Sequence, residues 1–260
     1  MFKETLSLSK GLLTDPEPQL RKLFNGEIKA AAPAAIYVLY VSAHAFFLSV
    51  RPPDFPAEFA ALGIGGWSEA TQFSYLKSCA FYFFTEMFWS TALTAASSAL
   101  LLYFLGTFSG GRIFFKLLLW TSGMLGCAAI TFYAGKAPLF LLLAAALLFV
   151  AGIIRSRQKI FWRFFQAALA MSVITAAVLP LEFAAVYLRS ENLFMAVELA
   201  AALWLIVLFT KTAKVFTATS VPRAVISLVA GCLATLLVLR LFYGTGLISK
   251  ETYELLFLIA

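Results

Sequence analysis

The sequence predicts an all-α fold: a polytopic transmembrane helical bundle of about seven spans, with the N-terminus inside and the C-terminus outside. Three observations carry that prediction. The 260 residues are 62% hydrophobic and have a mean hydropathy of +0.90. Soluble chains run at about 45–50% apolar, so lipid has to cover surface that no soluble core could hide. Charged residues make up only 13% of the chain and are clustered, leaving uncharged intervals at 30–50, 87–111, 117–135 and 137–154. At about 1.5 Å per residue, each interval crosses most of a hydrocarbon core of about 30 Å. Finally, the stretch 193–243 reads as a membrane hairpin whose hinge holds Lys211, Lys214 and Arg223 and no carboxylate. Such a hinge marks the cytoplasmic side.

Residues 1–29 form a cytoplasmic segment. Asp15 as N-cap and Pro16 in the first turn start one short helix there. Leu20, Leu23 and Phe24 share a face of it, with Arg21 and Lys22 alongside. That pattern suits either a helix lying on the membrane surface or a polar tail with a single helical turn. The transmembrane domain covers 30–243 and an outer tail covers 244–260. Span one contains Pro33 and the only histidine, His44, and ends at Arg51-Pro52-Pro53. An outer loop with Asp54, Glu58, Trp67 and Glu69 follows. Ser68 is placed to cap a long helix that carries Phe73 and Leu76 along the interface into span two, which stops at Gly106 or at Gly110-Gly111. Spans three and four are parted by Gly135-Lys136-Ala137-Pro138, where Gly and Pro break helices. With only Lys136 between them, they form either a full hairpin or a re-entrant pair that leaves five spans. Span five runs from Phe164 to Leu181 with Pro180 as a kink and Glu182 just beyond. The hairpin supplies spans six and seven.

The charges test this order. Of the 20 Lys and Arg, six (Arg51, Lys77, Lys136, Arg189, Arg240 and Lys250) fall outside and the other fourteen inside. Of the 13 acids, only Glu4, Asp15, Glu17 and Glu27 fall inside. Under the positive-inside rule this bias sets the orientation.

The formal charge of +7 sits in short loops rather than on one basic face, which argues against nucleic acid as a partner. Cys79, Cys127 and Cys232 are far apart with no CxxC, so they read as small inert thiols rather than a zinc site or a disulfide framework. A cleavable signal peptide is not predicted, because the first apolar run begins only at Ala30 after several acids, although Ala43-His44-Ala45 mimics a cleavage site. The only aspartates, Asp15 and Asp54, fall outside spans, which excludes an intramembrane aspartyl dyad. Span seven has no lysine for a retinal Schiff base, and no ATP-binding motif is present. No cofactor, metal or catalytic activity is therefore expected.

Ionisable residues inside a bilayer are costly and draw attention as functional candidates. Glu86, Glu182 and Glu198 occupy comparable outer-leaflet depths on spans two, five and six. They read either as a converging proton or cation site or as structural partners of Lys77, Lys136, Arg189 or Arg240. His44 is expected to hydrogen-bond a neighbouring helix rather than bind metal. The cluster Arg155, Arg157, Lys159 and Arg163 is the expected contact for anionic lipid or an acidic partner, or else serves topology alone. Ala96, Ser97 and Ser98, Gly123 and Gly126, and Ala144-Ala145-Ala146 are expected to be helix-packing faces. The partners expected are membrane lipids, and a membrane protein or a second copy of the chain.

Three places resemble the Yip family of polytopic membrane proteins, whose eukaryotic members are named for interaction with Rab-type GTPases and which is widespread in bacteria. LLTDPEPQLRKLF resembles the proline-containing segment before the first span of bacterial members. Gly110-Gly111 with Phe114 and Phe115 resembles the glycine turn and aromatics after the second span. Ala202-Leu203-Trp204, then Thr219-Ser220-Val221-Pro222-Arg223-Ala224, is similar to the closing hairpin. The resemblance implies an N-in, C-out protein of an odd number of spans that binds or organises other membrane components, in the cell membrane if the source is bacterial. Two spans beyond the family's usual five and a short N-terminal segment are departures from it.

The orientation is checked with an impermeant thiol reagent on intact cells. Cysteines at Ser156 and Thr212 are expected to resist labelling and one at Ser190 to react; labelling at 156 from outside overturns the assignment.

Overall fold

The computed structural model describes residues 2–52, 55, 75–133, 135–250, 252, 253 and 256. Among them every regular element is helical, and seven helices are long and apolar enough to cross a membrane. The helices are α1 (Phe2–Thr14), α2 (Pro16–Asn25), α3 (Ala31–Val50), α4 (Tyr75–Thr85), α5 (Thr91–Phe108), α6 (Ile113–Tyr133), α7 (Lys136–Ser156), α8 (Gln158–Tyr187), α9 (Glu191–Thr217) and α10 (Val221–Gly244). A π-helical turn, Glu86–Ser90, joins α4 to α5 without a break. At 21 residues each, α6 and α7 are both long and apolar enough to cross a membrane, which brings the candidate spans to seven. The expected outer loop at 56–74, with the cap at Ser68, lies outside the described residues.

Helix α8 begins earlier and ends later than the uncharged interval implied, because Arg163 and Glu182 are absorbed into it. Glu182 therefore lies inside the helix with Pro180, not beyond its end. The N-terminal segment also holds more structure than one turn. Thr5, Leu8 and Leu12 recur on one face of α1 and are buried, and the cross-over to α2 brings Gly11 against Gln19. Asp15 precedes α2 as expected but makes no side-chain cap. The secure terminus of α2 is the other one. Gly26 is left-handed at φ 79, with Gly26 N–H donating to Leu23 O (3.1 Å) and Glu27 N–H to Lys22 O (2.9 Å), the Schellman pattern that satisfies the last carbonyls.

The chain divides into two compact units. The first, Met1–Thr91 with Gln166–Thr212, packs α1 and α2 onto each other and α3 against α4 and the π turn. Phe47 meets Phe183 of α8 edge to face at 4.9 Å. The second unit, Ala92–Phe165 with Ala213–Ala260, joins α7 to α10 through Leu139, Leu143 and Leu241, and α5 to α7 through Tyr103 and Phe149 at 4.9 Å. Close helix approach depends on Gly231 of α10, where a Cβ would collide with the Leu101 side chain.

The expected small-residue faces are corrected in part. Ser98 is buried, but Gly123 and Gly126 face nothing within 4 Å of a Cβ, and Ala144 and Ala145 are exposed. Among the described residues nothing packs there, and along α6 Thr131 alone is buried. The three cysteines are free and half-buried. Thr212 is 0% exposed, with Oγ1 donating to Leu208 O at 2.8 Å; the exposed Ser220 is the better position for a reporter cysteine.

Gly231→Val is expected to destabilise the protein by about 1–3 kcal/mol through overpacking, read as a lower melting temperature in detergent. Leu101→Ala in the same chain is expected to restore part of the loss. Equal melting temperatures for parent and Gly231→Val would show that the approach of α10 to α5 is not close-packed.

Candidate functional site

The site is built where α3 meets the π turn. Glu86 opens that turn and is 1% exposed. Its Oε1 lies 2.8 Å from Nδ1 of His44 across the helix pair, while Oε2 is buried with no hydrogen-bond partner among the described residues. A π turn changes the bonding register from i+4 to i+5, which opens its carbonyls to outside donors, and such bulges are frequent at functional sites. Here the Tyr37 hydroxyl donates to the Glu86 carbonyl at 3.4 Å, and Thr91 Oγ1 donates to Tyr37 Oη at 3.3 Å. The Thr91 hydroxyl has a second acceptor in Met87 O at 2.5 Å, and one proton serves only one of these at a time.

His44 is held by its own helix. Tyr40, one turn before it, stacks on the imidazole at 5.4 Å, and Phe47, one turn after, at 6.2 Å. The aromatic faces fix the ring plane, so Nδ1 addresses Glu86. Arg51 follows two turns later, about 10 Å along the axis. Burial lowers its pKa from the ordinary guanidinium range, yet an arginine there stays charged.

Of the three expected glutamates, Glu86 contacts this histidine directly. Glu182 is 6% exposed and within electrostatic range of Glu198 and His44; Glu198, on the exposed side of α9, also feels His44. Tyr40 is in range of all three carboxylates. Exposure within the chain thus falls from Glu198 through Glu182 to Glu86. Among the described residues no lysine or arginine pairs with any of the three. Of the partners the structural reading named, Arg240 instead lies 5.2 Å from the Phe132 ring and 5.2 Å from the Tyr243 ring. His44 is the partner that sequence reading did not assign to Glu86. Its only signal was an imidazole deep in an apolar run.

No three His, Cys, Asp or Glu side chains among the described residues lie close enough to enclose a metal ion. The chemistry the arrangement supports is proton exchange: one proton shared in the Nδ1···Oε1 contact, with Oε2 left to accept another.

The four expected cations lie where α7 passes into α8. Arg155 and Lys159 are exposed and Arg163 is half-buried. Arg157 turns away from them and donates from Nη1 to Leu102 O on α5 at 3.2 Å.

Removing one partner of a buried pair strands the other, whereas replacing both with apolar groups is close to neutral. His44→Ala is therefore expected to cost about 1–3 kcal/mol, Glu86→Gln less, and His44→Leu with Glu86→Leu less than His44→Ala alone. Thermal unfolding in detergent provides the comparison. Additive losses in the double variant would mean that the contact contributes nothing.

No protein-family model, no curated protein and no solved structure matches this chain, so the likeness to the Yip family rests on the quoted residues alone and function is argued from the site.

Proposed function

We propose that this multi-pass membrane protein is a transporter or permease-type subunit, not an enzyme, and that Glu198, Glu182 and the Glu86–His44 pair bind the proton that drives it. The observation that carries this reading is the buried Glu86 on a π turn, with one oxygen on His44 and the other unpartnered. A carboxylate kept at such cost inside apolar helices, with neither lysine nor arginine paired to it among the described residues, suits a group that changes protonation state during work. The graded exposure from Glu198 inward supplies a route for the proton. The proposed topology is N-terminus in and C-terminus out.

A second reading has its own support. The protein would act as a membrane-embedded binding or organising component of the Yip-like kind, with α6 as its contact helix. That helix buries only Thr131 against the rest of the chain.

Proteoliposomes loaded with a pH-sensitive dye separate the two. Under an imposed membrane potential the parent is expected to move protons several-fold faster than protein-free vesicles. Glu86→Gln and Glu182→Gln are expected to abolish the difference while retaining protein yield. Parent flux equal to that of empty vesicles, with partner capture unaffected by either change, would favour the organising role.

A further inference from the structure

We propose that Lys116, Arg157 and Arg223 form a binding site for the phosphate headgroup of an anionic lipid at the C-terminal end of α5. This inference is independent of the carboxylate cluster. The first turns of α6 and α10 and the junction between α7 and α8 deliver these cations to the last two turns of α5 and the residue after it. Lys116 Nζ donates to Thr107 O at 2.6 Å, Arg223 Nη1 to Ser109 O at 2.7 Å, and Arg157 Nη1 to Leu102 O at 3.2 Å. Two glycines make room for them. A Cβ on Gly106 would lie 2.8 Å from both terminal nitrogens of Arg157, and one on Gly110 would lie 3.3 Å from Lys116 Nζ.

A helix C-terminus attracts cations, and its last carbonyls need donors, so one such side chain is ordinary capping. Three exceed that role. The helix dipole supplies about half an elementary negative charge against three formal positive ones. Among the described residues no carboxylate pairs with any of the three. Arg112, exposed and left-handed at φ 56 on the same loop, adds a fourth cation nearby. Each of these bonds uses one donor, whereas an arginine has five N–H groups and a lysine three. The remaining donors and the uncompensated charge call for an oxyanion, and a phosphate accepts from arginine in bidentate fashion.

The surroundings favour a lipid over a free anion. Phe114 and Phe115, 83% and 64% exposed, open the apolar span α6 between Arg112 and Lys116, so acyl chains have an apolar face beside the cations. The site replaces the expected cluster in part. Arg157 belongs to it, and Arg155 and Lys159, exposed as Arg157 is, do not.

The test is binding of phosphatidylglycerol to the detergent-solubilised full chain, read by native mass spectrometry and by the rise in melting temperature, with phosphatidylcholine and inorganic phosphate as separate arms. Phosphatidylglycerol is expected to bind and stabilise, the other two to do neither. Lys116→Gln with Arg223→Gln is expected to weaken phosphatidylglycerol binding roughly tenfold, and Arg155→Gln with Lys159→Gln to leave it unchanged. The charge-keeping pair Lys116→Arg with Arg223→Lys should retain binding. Equal losses in the two glutamine pairs, or no preference over phosphatidylcholine, overturns the site. Stabilisation by phosphate equal to that by phosphatidylglycerol overturns the lipid as the source. If the first glutamine pair does not fold, the parent and the charge-keeping pair decide. A preference for phosphatidylglycerol that high salt removes in both, and that survives Arg155→Gln with Lys159→Gln, supports the site; its absence from either overturns it.

Discussion

A carboxylate surrounded by apolar helices has to share either its charge or its proton with a neighbour, and the contact between Glu86 and His44 meets that constraint with side chains from two helices. Much of the first unit follows from it. The imidazole must present Nδ1 to the π turn, so Tyr40 and Phe47 clamp its plane from the turns on either side. The register of α3 against α4 is then fixed, which brings Tyr37 onto the Glu86 carbonyl and beside Thr91. Phe47 in turn anchors α8 through Phe183 and so sets Glu182 within range of the same histidine. A single polar contact thereby bears on the orientation of three apolar helices, α3, α4 and α8, that hydrophobic burial alone would leave free to rotate, because lipid is as apolar as their own side chains.

The second unit solves a different problem, that of helix ends. Backbone carbonyls at a helix terminus need donors wherever water is scarce. Over the last two turns of α5 and the residue after it the donors are cationic side chains from the starts of α6 and α10 and from the junction between α7 and α8, and they tie those elements to one helix. Close packing in this unit is confined to particular positions. Gly231 lets α10 approach Leu101, and Gly106 lets a guanidinium lie against α5. Gly123 and Gly126, chemically the same residue, have nothing within 4 Å of a Cβ among the described residues.

These two arrangements give the polar groups of an otherwise apolar protein distinct tasks. The proposed proton site uses carboxylates of graded exposure, where a proton enters at Glu198 and reaches a closed pair at Glu86. The proposed headgroup site uses the cationic side chains of Lys116, Arg157 and Arg223. A titrating group suits work that cycles, and a permanently charged one suits anchoring.

The sequence by itself determined the membrane class, the seven spans and the anomalous positions of Glu86, Glu182 and Glu198. Uncharged intervals of spanning length and isolated acids within apolar runs are properties of the chain read in one dimension. Span limits were less legible. Charges such as Arg163 and Glu182 can continue a helix, so an uncharged interval is shorter than the helix containing it. Helix α1 was missed because Ser7, Ser9 and Gly11 dilute an apolar face made by Leu8 and Leu12 alone. Only the tertiary structure decided which partner each ionisable group takes. His44 and Glu86 stand 42 residues apart, and their meeting depends on helix rotation and on the residue that the π turn inserts. Arg157 leaves its sequence neighbours for a carbonyl 55 residues away. Partnership across helices is set by rotation about each axis and by loop geometry, and neither is written in hydropathy or charge order.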